Sequence, residues 1–312
     1  MNACLFTDCY ASKRLVGKMS SIVVAKDHQI ECFSKGDTKW TRPFYFVQGA
    51  DLQMGMIQSY LEKNPIPGWE KEIELGERAV AIVNEMRPKP KFFVMCGDLC
   101  HAFPDEEPEI RQKQEADFKK IFEKLDPEIP FISLSGNHDV GNQPTTETIE
   151  SYKSSFGDDY FSFWCGGVRF LVLNTQYFED ASEVPELAEK HEQWLNEELE
   201  FAKQAGSRVI VFQHIPWFLS DPDEEANYFS IEPSIRNVWL EKLKNSGVVH
   251  VFAGHLHLNA GGSYHGMPVT TTTALGAQLG DDVPGLRIVK VMEKEIEQSF
   301  YSLDNLPTTI DL

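Results

Sequence analysis

Five short apolar runs in this chain each end on a small cluster of polar, chemistry-bearing residues. Residues 44–50 lead into Asp51-Leu52-Gln53, and 91–96 into Gly97-Asp98. Residues 131–134 lead into Gly136-Asn137-His138-Asp139, 208–213 into His214, and 248–253 into Gly254-His255-Leu256-His257. Apolar runs of this length read as buried strands. Amphipathic stretches lie between them. Residues 69–87 set Ile73, Ala79, Val80, Val83 and Met86 on helical spacing and stop at Pro88; residues 109–125 form a second such helix. Alternating strand and helix implies an α/β domain whose loops beyond the C-terminal strand ends form a crevice. Polar clusters far apart in sequence then converge in space.

The middle of the chain changes character. Residues 160–164 and 168–174 flank Gly166-Gly167 and read as a β-hairpin. A long helix is expected over 185–203 and another over 233–245. The last third is strand-rich, over 267–272, 286–292 and 296–303. The fold class expected is α/β, with two packed sheets flanked by helices. Residues 1–38, of weak periodicity, read as an irregular lead-in, 39–304 as the domain and 305–312 as a C-terminal tail.

Composition narrows the partners. The chain has 312 residues, 42% of them apolar, enough for a full core. Its net charge of −19 repels polyanions, and no run of Lys or Arg offsets it, so nucleic acid and anionic membranes are not expected partners. No stretch reaches the roughly 18 to 20 apolar residues of a membrane span. Residues 1–35 lack a basic segment followed by an apolar one, so no signal peptide is expected. The six cysteines (Cys4, Cys9, Cys32, Cys96, Cys100 and Cys165) form no CxxC pair, which suits a reducing, cytoplasmic setting. Nothing in the sequence sets the oligomeric state.

The polar clusters offer carboxylates, amide oxygens and imidazoles without thiolates. Such a set suits divalent Mn, Fe, Zn or Mg. Gly97, Gly136 and Gly254 allow sharp turns and close backbone approach at the strand ends. A lone His after a strand is usually structural, and a lone Gly-Asp is a common turn. The weight lies in the ordered set, each member at a strand end.

That ordered set resembles the motifs of the calcineurin-like metallophosphoesterase superfamily: D-x-H, G-D, G-N-H-D/E, a lone H and G-H-x-H. Segments 92–101, 135–139, 157–164 and 212–216 are most similar to its calcineurin-like phosphoesterase domain-containing protein 1 branch, regarded as cytoplasmic protein serine/threonine phosphatases. The resemblance covers about 51–257 and fades before Lys39, and Met19 is a candidate alternative start. It implies a four-layer αββα sandwich with two divalent cations at the strand ends. Asp51 and His257 would hold the first cation, Asp98 would bridge both, and Asn137, His214 and His255 would hold the second. His138 would stand beside the substrate, oriented by Asp139. Two cations about 3.5 to 4 Å apart clamp a phosphoryl group and turn a bridging water into hydroxide. An imidazole such as His138 protonates the leaving oxygen. The implied function is hydrolysis of phosphomonoesters, with phosphoproteins as substrate. Two alternatives stay open: a phosphodiesterase on small or cyclic nucleotides, and a weakly catalytic binding scaffold.

The chain departs from the superfamily pattern in two places. Gln53 stands where a second His is usual. It either ligates through its side-chain oxygen, favouring a harder cation such as Mn or Mg, or leaves the first cation weakly held. The Arg that follows G-D in calcineurin-type phosphatases is also missing; here Leu99-Cys100-His101-Ala102 follows. His101 reads as a structural neighbour of the site rather than a phosphate contact. His28, His191 and His265 read as bland, and Gly261-Gly262 as a hairpin turn. Trp217, Phe218, Tyr228 and Phe229 belong either to a substrate cleft or to the core. The acidic stretch 221–225 between them is expected to rim the site and favour peptides with basic neighbours.

Overall fold

The computed structural model describes residues 20–30, 33 and 37–312. Met19, Cys4, Cys9 and Cys32 therefore lie outside the described residues. A strand–helix alternation builds the first sheet: β1 (Phe44–Gly49), α1 (Glu70–Glu85), β2 (Phe93–Cys96), α2 (Pro108–Phe122) and β3 (Phe131–Leu134). Helices α3 (Asn137–Val140) and α4 (Thr146–Phe156) follow. The hairpin β4 (Phe161–Cys165) and β5 (Val168–Val172) opens a second sheet. Short α5 (Gln176–Glu179), long α6 (Pro185–Ala205), β6 (Arg208–Phe212), α7 (Pro233–Asn245), β7 (Val248–Ala253), β8 (Ala260–Tyr264) and β9 (Met267–Thr271) complete that half. Finally β10 (Gly285–Val291) and β11 (Ile296–Ser302) return to the first sheet.

The first sheet has five strands in the order β11-β10-β1-β2-β3, and the second has six, β4-β5-β6-β7-β9-β8. Within the first, β1, β2 and β3 run parallel; within the second, β5, β6, β7 and β9 do. Every expected ligand follows the C-terminal end of one of these parallel strands.

Alternate residues of the central strands enter different cores. Tyr45 and Val47 of β1 pack under helices, while Phe44 and Phe46 pack toward the other sheet. In β2, Phe93 and Met95 face the helices and Val94 and Cys96 face inward. In β6, Val209 and Val211 face α6 and α7, and Ile210 and Phe212 face inward. A strand buried on both faces needs apolar residues throughout, so these segments read as unbroken apolar runs. Phenylalanines join the sheets: Phe46 meets Phe170 edge-on at 5.8 Å, and Phe92 meets Phe163 at 5.5 Å. Helices cover both outer faces, giving the αββα layering that the resemblance implied.

Residues 20–30 and 305–312 pack against the two sheets. Ile22 bridges to Phe131 and Gln29 to Ser162, and Ala25 and Ile30 are buried against the inter-sheet core. At the other end Thr309 bridges to Arg87, and Leu306 and Ile310 enter the core under α1. Apolar residues spaced too sparsely to show a period still find sheet edges to cover. Gly261-Gly262 is not the expected turn. Both residues lie inside β8, paired with β9, and the turn falls at His265-Gly266. Glycine is needed there because a Cβ on Gly262 would lie 2.2 Å from the Ser220 carbonyl oxygen of a crossing loop.

Candidate metal centre

The loops after β1, β2 and β7 bend back sharply at the expected ligands. Among the described residues, Asp51, Gln53, Asp98, His255 and His257 all have positive φ, between 41° and 71°. Non-glycine residues seldom adopt that conformation, and such strain gathers at functional sites. The loops brace one another: Asp51 N–H donates to Gly97 O at 3.1 Å and Gln53 N–H to Asp98 O at 2.9 Å. His255 N–H donates to the Asp51 carboxylate at 3.0 Å, tying the two sheets together at the site. Gly136 permits the closest approach. A Cβ there would lie 2.1 Å from Asp98 Oδ1 and 2.8 Å from His214 Nε2.

The side chains converge as two donor groups with one shared member. Asp98, His214 and His255 offer atoms within 4.8 Å of one another, and so do Asp51, Asp98 and His257. His214 Nε2 stands 3.3 Å from Asp98 Oδ1, 3.1 Å from Asn137 Oδ1 and 3.2 Å from His255 Nδ1. His257 Nε2 stands 3.3 Å from Asp51 Oδ1. The far side of each ring is occupied. His214 Nδ1 bonds the Cys96 carbonyl at 2.8 Å, His257 Nδ1 the Ala277 carbonyl, and His255 Nε2 the Tyr228 carbonyl at 3.1 Å. Such partners orient an imidazole and leave its other nitrogen for a cation. Asn137 Nδ2 donates to Asn142 Oδ1 at 3.0 Å, which turns its own oxygen inward.

The charges point the same way. Burial disfavours the charged form of His214, but Asp98 and Asp51 outweigh it and lift its pKa to about 9. His257 is raised as well, with burial overcome by Asp51. Burial and then His214 push His255 down to about 4. Burial alone would raise Asp98; His214 and His138 reverse that and hold it well below the usual carboxylate range. The carboxylates thus draw positive charge into the cluster, and a divalent cation competes with protons for the same imidazole nitrogens. Gln53 Oε1 is buried without a hydrogen-bond partner, a state that ligation relieves. The donor set fits two divalent cations.

A cavity of about 420 Å³ opens onto these donors, with His138, His101, Phe103, Asn142, Tyr228 and Phe229 in its walls. His138 is half-buried, with its ring against Phe103 at 4.3 Å and its Nδ1 on the His101 carbonyl at 2.7 Å. Asp139 does not orient it, contrary to expectation. The Asp139 carboxylate points away, accepting from Gly136 N–H at 2.8 Å and Leu99 N–H at 3.1 Å and pairing with Arg111 at 2.9 Å. As the third residue of a short helix, it caps its own N-terminus instead. Of the four aromatics left open, Trp217 and Phe218 are core, and Tyr228 and Phe229 line the cavity. Within the acidic stretch Asp221, Asp223 and Glu225 are exposed, whereas Glu224 folds back onto Leu219 N–H at 2.8 Å and Ser220 N–H at 3.1 Å. Arg111, Phe103 and the His101 carbonyl went unread in the sequence. Arg111 sits in an ordinary amphipathic helix, and a carbonyl leaves no mark on residue type.

Residues 73–259 match the family model described as calcineurin-like phosphoesterase. The chain is also 46% identical to a relative from Danio rerio named serine/threonine-protein phosphatase CPPED1, over 90% of this chain and 92% of that one. The chain belongs to the calcineurin-like phosphoesterase family. A human relative of the same name is 46% identical over 86% of this chain and 87% of its own. The fold is shared with a dimetal phosphatase from Danio rerio, at a TM-score of 0.59 and 16% identity, covering 84% of this chain and all of that one. The matched residues of this phosphoesterase domain contain Asp98, Asn137, His214, His255 and His257, whereas Asp51 and Gln53 lie upstream of them. Among the described residues, no helix is long and apolar enough to cross a membrane.

Proposed function

We propose that this phosphoesterase hydrolyses phosphoserine and phosphothreonine in proteins. One observation carries the chemistry: Asp98 belongs to both donor groups, at the floor of a cavity that has His138 in its wall. The protein substrate is supported by the relatives' common name. On this reading Asp51, Gln53 and His257 hold one cation, Asn137, His214 and His255 the other, and Asp98 both. When bound, the cations supply a nucleophile at neutral pH and charge for the phosphoryl oxygens. The oxygen-rich half with Gln53 favours Mn or Mg over softer cations. His138 Nδ1–H donates to the His101 carbonyl, so the imidazolium form keeps its Nε2–H free to protonate the leaving oxygen. The catalytic unit spans residues 39–304. A cytoplasmic setting is supported by Cys96 and Cys100, both present as free thiols.

The test compares phosphoserine peptides with bis-p-nitrophenyl phosphate on protein reconstituted with Mn or Mg. Preference for the diester overturns the reading. In the same assay His138→Ala lowers peptide turnover by about 10²-fold or more, as loss of a general acid does. Metal analysis of that variant shows unchanged content.

A further inference from the structure

Among the described residues no Lys or Arg lines the cavity; Asp98, four imidazoles, amides and apolar side chains make up its walls. The cations and His138 meet one phosphoryl group. A second phosphate, as in a nucleoside diphosphate, would enter a site with no further charge to balance it. The lining thus suits one phosphoryl group better than two.

Apolar surface surrounds the entrance. Phe103 comes from the loop after β2, Tyr228 and Phe229 from the loop after β6, and Met56 and Tyr60 from the segment after β1. These rings are not there to fill the core. Tyr60 is 58% exposed, Tyr228 61% and the adjoining Leu61 45%. The segment that presents Tyr60 and Leu61, Ile57–Leu61, is a π-helical turn, a form that gathers at functional sites. It is held by polar anchors instead of apolar burial. Buried Glu72 accepts Ile57 N–H at 2.8 Å and Gly55 N–H at 3.2 Å, and Gln58 Oε1 accepts Gly68 N–H at 2.8 Å. The apolar surface thus continues past the cavity mouth, where a compact small molecule would not reach it and an extended chain would.

Resting on the phosphomonoesterase reading above, we propose that the Tyr60–Leu61 turn with Tyr228 and Phe229 forms a docking surface for a bulky apolar residue next to the phosphorylated one. The partner is a phosphoserine or phosphothreonine segment with a Phe- or Leu-like neighbour. Acidic neighbours are disfavoured by the net charge of −19. Basic neighbours meet Asp221, Asp223 and Glu225 but not Glu224, which is folded into its own turn.

The experiment measures kcat/KM of the Mn-loaded protein on phosphoserine peptides alike except for one neighbour: Phe, Gly, Lys or Glu. Glycerol 2-phosphate and AMP serve as small-molecule substrates. Phe is expected to exceed Gly by about tenfold, the worth of burying part of one apolar side chain. Tyr60→Ala brings that ratio close to one, chiefly through KM. Circular dichroism checks that the variant, altered at an exposed position, is folded. Equal values for Phe and Gly, or a preference for Lys, overturn the proposal while leaving the protein-phosphatase reading intact; AMP better than every peptide overturns both and leaves only phosphomonoester hydrolysis. A Phe-to-Gly ratio that survives Tyr60→Ala overturns the assigned surface. Turnover of no monoester removes that reading and this proposal together.

Discussion

Asp139 binds no candidate cation, yet two ligand loops depend on it. It accepts from Leu99 N–H beside Asp98 and from Gly136 N–H beside Asn137, while Arg111 pairs with its charge. Asp139→Asn keeps the shape, but removes charge and turns one acceptor into a donor. We expect a 10- to 100-fold loss of cation affinity, the usual size for a group that orients ligands. Calorimetric Mn titration reads it; an unchanged isotherm means that the loops stand without the carboxylate. Gln53→His works in the opposite sense, since an imidazole is the stronger donor, and should tighten the first cation. A titration identical to wild type would remove Gln53 from the ligand set. The residues that converge were legible because each stands in a short local pattern at a strand end. The direction of Asp139 was not, because its partner Arg111 lies 28 residues away on another element. A motif records which residue is present, not which way its rotamer points.

At the level of elements, α6 carries an unusual passenger. His191 is fully buried among Tyr160, Tyr177 and Phe178, and neither ring nitrogen has a hydrogen-bond partner. Burial, and then His28, push its pKa down to about 3. The unfolded chain takes up that proton near pH 6.5, and the folded chain only near 3. Stability contributed by neutral His191 is therefore complete above about pH 6.5 and is lost as pH falls toward 3. Between pH 7.5 and 5 the loss is about 2 kcal/mol. His191→Phe should remove that part of the acid sensitivity, read as urea midpoints at the two pH values. Parallel losses in both proteins would mean that His191 titrates alike folded and unfolded. The sequence reading took His191 as bland, which its catalytic irrelevance supports and its burial does not. Two of the elements missed in the sequence have plain physical reasons. Helix α4 opens on the side chain of Thr145 and buries only Ile149, Tyr152 and Phe156 on its apolar spacing, a stripe diluted by Ser, Lys and Glu. Strand β8 reads Ala-Gly-Gly-Ser-Tyr, with little intrinsic preference for a strand, and exists because β9 pairs with it. The central strands were legible because burial on both faces leaves a continuous apolar signature.

For the whole molecule, the site lies where two sheets meet. Asp51, Asp98 and Asn137 hang from strands of the five-stranded sheet, and His214, His255 and His257 from the six-stranded one. Each proposed cation takes donors from both sheets. Elsewhere apolar packing and a few buried polar links join them, such as Gln48, which donates to Ala253 O at 3.1 Å and accepts from Thr272 at 2.8 Å. Cation binding should therefore act on global stability as well as on catalysis. At about 100 times its Kd, a cation that binds only the folded chain adds about 2.7 kcal/mol per site. Mn should raise Tm by several degrees in a chain of this size, and a chelator should reverse the shift. Screening of the −19 net charge would also raise Tm, so NaCl of matched ionic strength is the control and should do much less. Asp98→Asn should abolish most of the Mn-specific shift, because the shared ligand weakens both sites at once. If chelation ended turnover and left Tm unmoved, the cations would not be joining the sheets, and the donors from one sheet alone would have to account for binding.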